Sequence, residues 1–187
     1  MMLSPRFTEK DWKAAFQGAE HWDKAIDIVS NRIEGRWLKW VDEIVTFRFS
    51  GFAVLALDCI VLESIWGFKN GKAVPKRQER EVYREMLSGR RFGWSDTQSD
   101  NFREFVRNGL MHDAETRKRW IVEATIPRDC IAEQNAAGDY VINRSKFHKA
   151  VRDTFEDWLR MLHSGDRRLQ KNMRTRMDEI ITKHYAP

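Results

Sequence analysis

The 187-residue sequence predicts a mainly α-helical fold with an inserted β-hairpin and extra helices at its C-terminal end. Three observations carry this. Apolar residues recur at spacings of three and four over long stretches, the period of a helix with one buried face. Only four prolines and ten glycines punctuate the chain, too few for a many-stranded sandwich or a disordered segment. The pattern changes once, between about residues 119 and 143, where β-branched and aromatic residues replace the helical spacing. The length fits one domain, with a core over about 22–162 and a last helix over 166–184.

Thr8 is placed to cap a first helix, with Asp11 completing a capping box. From about His21, Ala25, Ile28, Val29, Ile33, Trp37, Trp40, Val41, Ile44 and Val45 follow the helical period, interrupted only by Gly35. The most apolar stretch runs from Gly51 to Phe68. It contains Asp58 and Glu63, and two carboxylates argue against a membrane span and for a buried central helix. Lys69-Asn70-Gly71 stops it. A short charged helix follows over Arg77–Leu87, and another from about Asp100 to His112, opened by the capping-rich run Ser95–Asp100. Trp120–Ile126, ending at Pro127, and Asp139–Ile142 read as two strands of a hairpin. Asn143 or Ser145 caps a helix carrying Phe147, Val151, Phe155, Trp158, Leu159 and Leu162, which stops at Ser164-Gly165. Eight tryptophans suit helix–helix contacts, since each buries a large area.

The net charge is +5, with the excess in two blocks, residues 72–91 and 144–176. A polyanion partner is one reading; helix faces with surplus Lys and Arg are the other. Arg167, Arg168, Lys171 and Arg174, with Arg176 beyond, are candidates to line an RNA path. Cys59 and Cys130 lie far apart in apolar surroundings and read as small buried hydrophobes in a reducing compartment. With no apolar signal region at the start, the expectation is a cytoplasmic protein. No HExxH, CxxC, Walker, GxGxxG or GxSxG pattern occurs, and His21, His148, His163 and His184 form no ligand set, so neither metal nor cofactor is expected.

The segment Arg107-Asn108-Gly109-Leu110-Met111-His112 is the candidate for chemistry. RNA is cut without a metal when its 2′-hydroxyl attacks the adjacent phosphate. That needs a base, an acid, and cationic donors for the charge on phosphorus. Histidine transfers protons near neutrality, arginine offers a planar fork to phosphate, and asparagine orients either. On an ideal helix, residues five apart are separated by roughly 140°, so Arg107 and His112 diverge while Asn108 and His112 share a face. One copy also supplies a single histidine where two proton-transfer groups are wanted. A two-fold dimer pairing two such helices answers both difficulties. The purely structural alternative has Arg107 paired with Glu63 or Glu104 and His112 placed at a helix C-terminus.

Phe105-Val106-Arg107-Asn108-Gly109-Leu110-Met111-His112 resembles the R-x4-H signature of the HEPN superfamily, and Arg48–Leu55 leading to Val61-Leu62-Glu63 resembles the helix that precedes it in HEPN-like bacterial proteins. The resemblance covers roughly residues 22–162. It implies a HEPN-like antiparallel helical bundle that dimerises through the motif helix. It also implies a metal-independent ribonuclease of a defence, toxin–antitoxin or RNA-processing system, with Arg107 and His112 catalytic and Asn108 supporting. Glu63 would hold Arg107 or contribute to the site. An antitoxin or regulatory protein is the implied partner beside RNA. Other HEPN members serve as non-catalytic binding modules.

Overall fold

The computed structural model of the chain describes residues 1–18, 20–124, 126 and 129–185. Helix α1 (Glu9–Ala14) is opened by the expected capping box: the Thr8 side chain accepts from the Asp11 N–H and the Asp11 carboxylate accepts from the Thr8 N–H. Helix α2 (Trp22–Ile33) continues without a break through a π-helical segment, Glu34–Leu38, into α3 (Lys39–Ile44). Gly35 sits in that wider segment because a β-carbon there would lie 2.7 Å from Cγ of Pro5. The N-terminal residues thus pack directly onto the turn, with Leu3 fully buried.

Helix α4 (Gly51–Asn70) is the centre of the molecule and touches α3, α5, α7, α8, α9 and both π-helical segments. It is long and apolar enough to cross a membrane by length and composition, and most of it is buried inside the fold, as a core helix should be. Gly71 ends it in the left-handed conformation, φ 68°. Helix α5 (Glu79–Leu87) follows. Helix α6 (Asp96–Asn101) begins four residues earlier than the spacing suggests. Ser95 and Gln98 form a second capping box there, which outweighs the charged run after it. A second π-helical segment, Phe102–Arg107, joins α6 to α7 (Asn108–Asp113).

The inserted region is a three-stranded sheet rather than a two-stranded hairpin. Strand β1 (Trp120–Glu123) runs parallel to β3 (Tyr140–Asn143), and β2 (Ala132–Gln134) runs antiparallel to β3 on its other edge. A parallel pair cannot be joined by a tight turn, so the chain between β1 and β3 crosses over and supplies β2 on the way. The tight turn that does exist joins β2 to β3, with Gly138 at φ 80°. Strand β2 has the sequence Ala-Glu-Gln, which carries no strand preference and gave no signal. Thr125 and Pro127, at the expected end of the first strand, lie outside the described residues.

Asn143 caps helix α8 (Arg144–His163) by accepting from the Lys146 N–H at 3.0 Å. Arg144 is buried, and its guanidinium donates to the carbonyls of Val45 and Phe47, tying the start of α8 to the end of α3. Helix α9 (Arg167–Tyr185) closes the fold against α4. One hydrophobic cluster extends from Leu3 to Ile181, and Trp12, Trp66, Trp94, Trp120 and Trp158 belong to it. Phe102 is its aromatic hub, stacked on Phe147 at 5.0 Å and edge-on to Trp94 and Trp120.

Candidate active site

Arg107 is the last residue of the second π-helical segment, and its side chain is 20% exposed. Its Nε donates to Oε1 of Glu63 on α4 at 2.9 Å, and its Nη1 donates to Oδ1 of Asn108 at 3.2 Å. The same Glu63 oxygen accepts from the Tyr83 hydroxyl at 3.0 Å, so α4, α5 and the motif helix meet at one carboxylate. Burial works against the charge of Arg107. The hydrogen bond and charge of Glu63, with Tyr83 and Cys59 nearby, together outweigh it and raise the guanidinium pKa. Its Nη2 makes no hydrogen bond among the described residues.

Asn108 links this pair to the next turn. It accepts from Arg107 and donates through Nδ2 to Glu104 Oε2 at 3.2 Å. Glu104, the other expected partner of Arg107, is engaged by Asn108 and by Arg103 at 3.0 Å. His112 lies one turn beyond Asn108, is exposed, and makes no hydrogen bond or ion pair among the described residues. Arg107 therefore faces α4 and α5 while His112 faces solvent. The divergence expected from the helical angle is present, and one chain does not bring the two together.

The π-helical turn shapes this site. The Asn108 N–H donates five residues back, to Arg103 O, instead of four back to Glu104 O. Arg117 N–H donates to Phe105 O at 2.7 Å as the chain turns back after Ala114, which takes the left-handed conformation at φ 55°. The returning segment passes so close that a β-carbon on residue 109 would lie 2.3 Å from Glu115 O. The glycine within the motif is thus explained by backbone packing.

On α9, Arg167, Arg168 and Lys171 are exposed and make no ion pair among the described residues. Arg174 differs: it pairs with Glu20 at 3.0 Å and lies 4.0 Å from the ring centre of Phe16. Three of the four candidate RNA-path cations are therefore without an ion pair among the described residues, and one holds the segment between α1 and α2 against α9.

A second polar cluster was not visible in the sequence. His148 on α8 is buried, with Nδ1 2.8 Å from Asp58 Oδ1 and Nε2 2.9 Å from Asp42 Oδ1. Arg152 extends the chain, donating to Asp42 at 2.9 Å and to Glu34 at 2.7 Å. Two carboxylate acceptors require both ring nitrogens to carry protons, so His148 is an imidazolium. Burial opposes that charge, but Asp58 and Asp42 overcome it and raise the histidine pKa. Burial also pushes the Asp58 carboxyl up to about 6, against the pull of His148. Asp58 lies 90 residues from His148, and only the polar interruption of two apolar helix faces marks them. Among the described residues no group of three or more His, Cys, Asp or Glu side chains is arranged so that it could hold a metal ion. Cys59 is buried beside this helix face, its thiol pushed up to about 12 chiefly by burial, which makes it inert.

Comparison of the chain with family models, with curated proteins and with solved structures finds no match.

Proposed function

We propose that the chain is a metal-independent endoribonuclease of the HEPN type, acting as a homodimer through the motif helix. The observation that carries this reading is the division of labour around Asn108. Arg107 is held charged and oriented by Glu63, while the next turn presents His112 to solvent with no hydrogen-bond or ion-pair partner among the described residues. A phosphate ligand needs a fixed cation, and a proton-transfer group needs access to substrate. In the proposed reaction His112 takes the proton of an RNA 2′-hydroxyl as that oxygen attacks phosphorus. Arg107 stabilises the charge on the five-coordinate phosphorus, offering its uncommitted Nη2. His112 of the partner subunit protonates the departing 5′ oxygen. The products are a 2′,3′-cyclic phosphate and a 5′-hydroxyl. Arg167, Arg168 and Lys171 would steer RNA by charge. A cytoplasmic defence or toxin–antitoxin system, with an antitoxin or regulatory protein as partner, is the setting this reading implies.

Purified protein is incubated with single-stranded RNA in excess EDTA, beside Arg107→Ala and His112→Ala. Cleavage by the wild type alone, with cyclic phosphate ends, supports the reading. Equal background in all three sinks it, and a requirement for Mg²⁺ sinks the mechanism.

The Arg107–Glu63 pair also favours a second reading. A guanidinium already matched by a carboxylate and anchored to α4 and α5 is what a structural brace looks like. The chain would then be a non-catalytic helical binding module that uses the motif helix for dimerisation. Loss of folding, rather than of cleavage, in Arg107→Ala would mark that case.

A further inference from the structure

Arg144, the first residue of α8, is only 7% exposed, yet no carboxylate pairs with it among the described residues. A buried cation is ordinarily paired, because taking its charge out of water is costly. Two of its nitrogens, Nε and Nη2, donate to the carbonyls of Val45 and Phe47 at 3.1 and 2.8 Å. The third, Nη1, makes no hydrogen bond among the described residues and is not sealed from solvent. Arg144 lines a cleft of about 560 Å³ between the start of α4, the end of β1 and the start of α8. That is the size of a small-molecule site. The arginine stem passes the first residue of α4, since its Cδ lies 3.6 Å from where a β-carbon on Gly51 would stand.

The start of α4 adds positive character to the same cleft. Ser50 stands at the N-cap but makes no capping bond; its hydroxyl donates to Phe47 O at 2.9 Å instead. No acidic residue stands in the first turn. The N–H groups of Gly51, Phe52 and Ala53 are therefore without an acceptor among the described residues, at the positive end of a twenty-residue helix. Arg48 is exposed, makes no ion pair among the described residues, and lies over the Phe49 ring at 4.7 Å. Phe49 itself is 86% exposed and held in the left-handed region at φ 66°, an uncommon place for a bulky residue. Phe49, Phe52 and Val122 give the cleft an apolar wall. Glu123, which is exposed, also lines it and opposes an anion there.

We propose that this cleft binds a phosphate monoester that carries a flat ring. The phosphate takes Nη1 of Arg144, the Arg48 guanidinium and the first N–H groups of α4, and the ring lies against Phe49 and Phe52. The donors outnumber the two oxygens of a carboxylate, and the two arginines with the helix end outweigh Glu123 by more than one charge, which favours phosphate. A free mononucleotide and the 5′-phosphorylated end of an RNA chain share this chemistry. The site has no residue in common with Arg107, Asn108, His112 and Glu63, so it stands or falls apart from the ribonuclease reading.

The test is calorimetric titration of the full chain with AMP, adenosine, inorganic phosphate and two short single-stranded oligonucleotides whose 2′-hydroxyls are blocked, one 5′-phosphorylated and one not. The expected result is saturable binding of AMP, about tenfold weaker binding of adenosine and of phosphate, and loss of affinity at high salt. Arg48→Gln weakens AMP about tenfold and leaves the melting temperature of the free protein in place, since the side chain is exposed. Glu123→Gln, also an exposed position, tightens AMP about threefold. Arg144→Lys keeps the charge but not the fork and weakens AMP; should it fail to fold, the Arg48 and Glu123 variants decide. No saturable AMP binding, equal affinity for adenosine, or full affinity in Arg48→Gln would each overturn the proposal. Binding of the 5′-phosphorylated oligonucleotide alone, beside AMP, assigns the site to RNA ends, and binding of AMP with neither oligonucleotide assigns it to free nucleotides. Equal binding of both oligonucleotides would overturn the terminal phosphate as the recognised group.

Discussion

Gly109 lies against the carbonyl oxygen of Glu115, so near that a β-carbon at position 109 would stand 2.3 Å from it. The obstacle is backbone, not the end of a flexible side chain, and it belongs to the segment that returns along the motif helix. Gly109→Ala is therefore expected to destabilise the protein by about 1–3 kcal/mol, the usual cost of overpacking. Urea denaturation measures this. A stability equal to the wild type's would show that the returning segment is not held where the Arg117–Phe105 hydrogen bond places it.

Arg107, Glu63 and Tyr83 share one carboxylate oxygen, and their coupling is measurable apart from any catalysis. A double-mutant cycle with Arg107→Ala and Glu63→Ala is expected to give a coupling free energy of about 1–3 kcal/mol, as for a partly buried charge pair. A coupling near zero would mean the pair is a surface accident.

His148 makes stability depend on pH, and the sign follows from its raised pKa. Above the ordinary histidine value of 6.5, the unfolded chain has released this proton while the folded chain still holds it between Asp58 and Asp42. The folded state binds more protons in that window, so its stability falls as pH rises through the folded pKa. Asp58, pushed up to about 6 from 3.8, acts in the same direction at lower pH. Arg152 pairs with both Asp42 and Glu34 at the edge of the cluster. Melting temperatures of the wild type are expected to fall between pH 6.5 and 9, and those of His148→Gln to fall less. Parallel curves for the two proteins would count against the assignment.

Met111 is 39% exposed beside His112, so a charge there is compatible with the fold. If the motif helix forms the dimer, Met111→Asp is expected to raise the dimer dissociation constant tenfold or more and to abolish cleavage with the fold intact. Sedimentation velocity reads the first effect. An unchanged dimer would place the interface elsewhere.

The helical elements were largely legible from local signals. The capping box at Thr8, the stop at Gly71 and the long apolar run of α4 all act within a few residues, and such signals survive folding; the box at Ser95 was visible only as a capping-rich run, so the helix it opens starts earlier than expected. Features that depend on distant partners were not legible. Nothing in Glu34–Leu38 or Phe102–Arg107 marks a π-helical turn, and the contacts made at these turns come from distant residues: Pro5 against Gly35, and the Arg117 N–H on the Phe105 oxygen. The parallel pairing of β1 with β3 was hidden for the same reason, as was the meeting of Asp58 with His148. At the candidate site, the pairing of Arg107 with Glu63 was foreseen as one of two alternatives. Tyr83 was not, since a buried tyrosine on a charged helix looks like any core residue.

The central place of α4 has a consequence for the chain as it is made. α4 is complete at Asn70, but α8 and α9, which cover it, end at His163 and Tyr185. At ordinary rates of synthesis the ribosome needs about 5–20 s to supply that covering. Throughout that interval the nascent chain carries a twenty-residue helix apolar enough to pass for a membrane span, with no partner for most of its surface. Depleting a chaperone that shields apolar segments on the ribosome is therefore expected to lower the yield of folded product more than any single substitution on the surface.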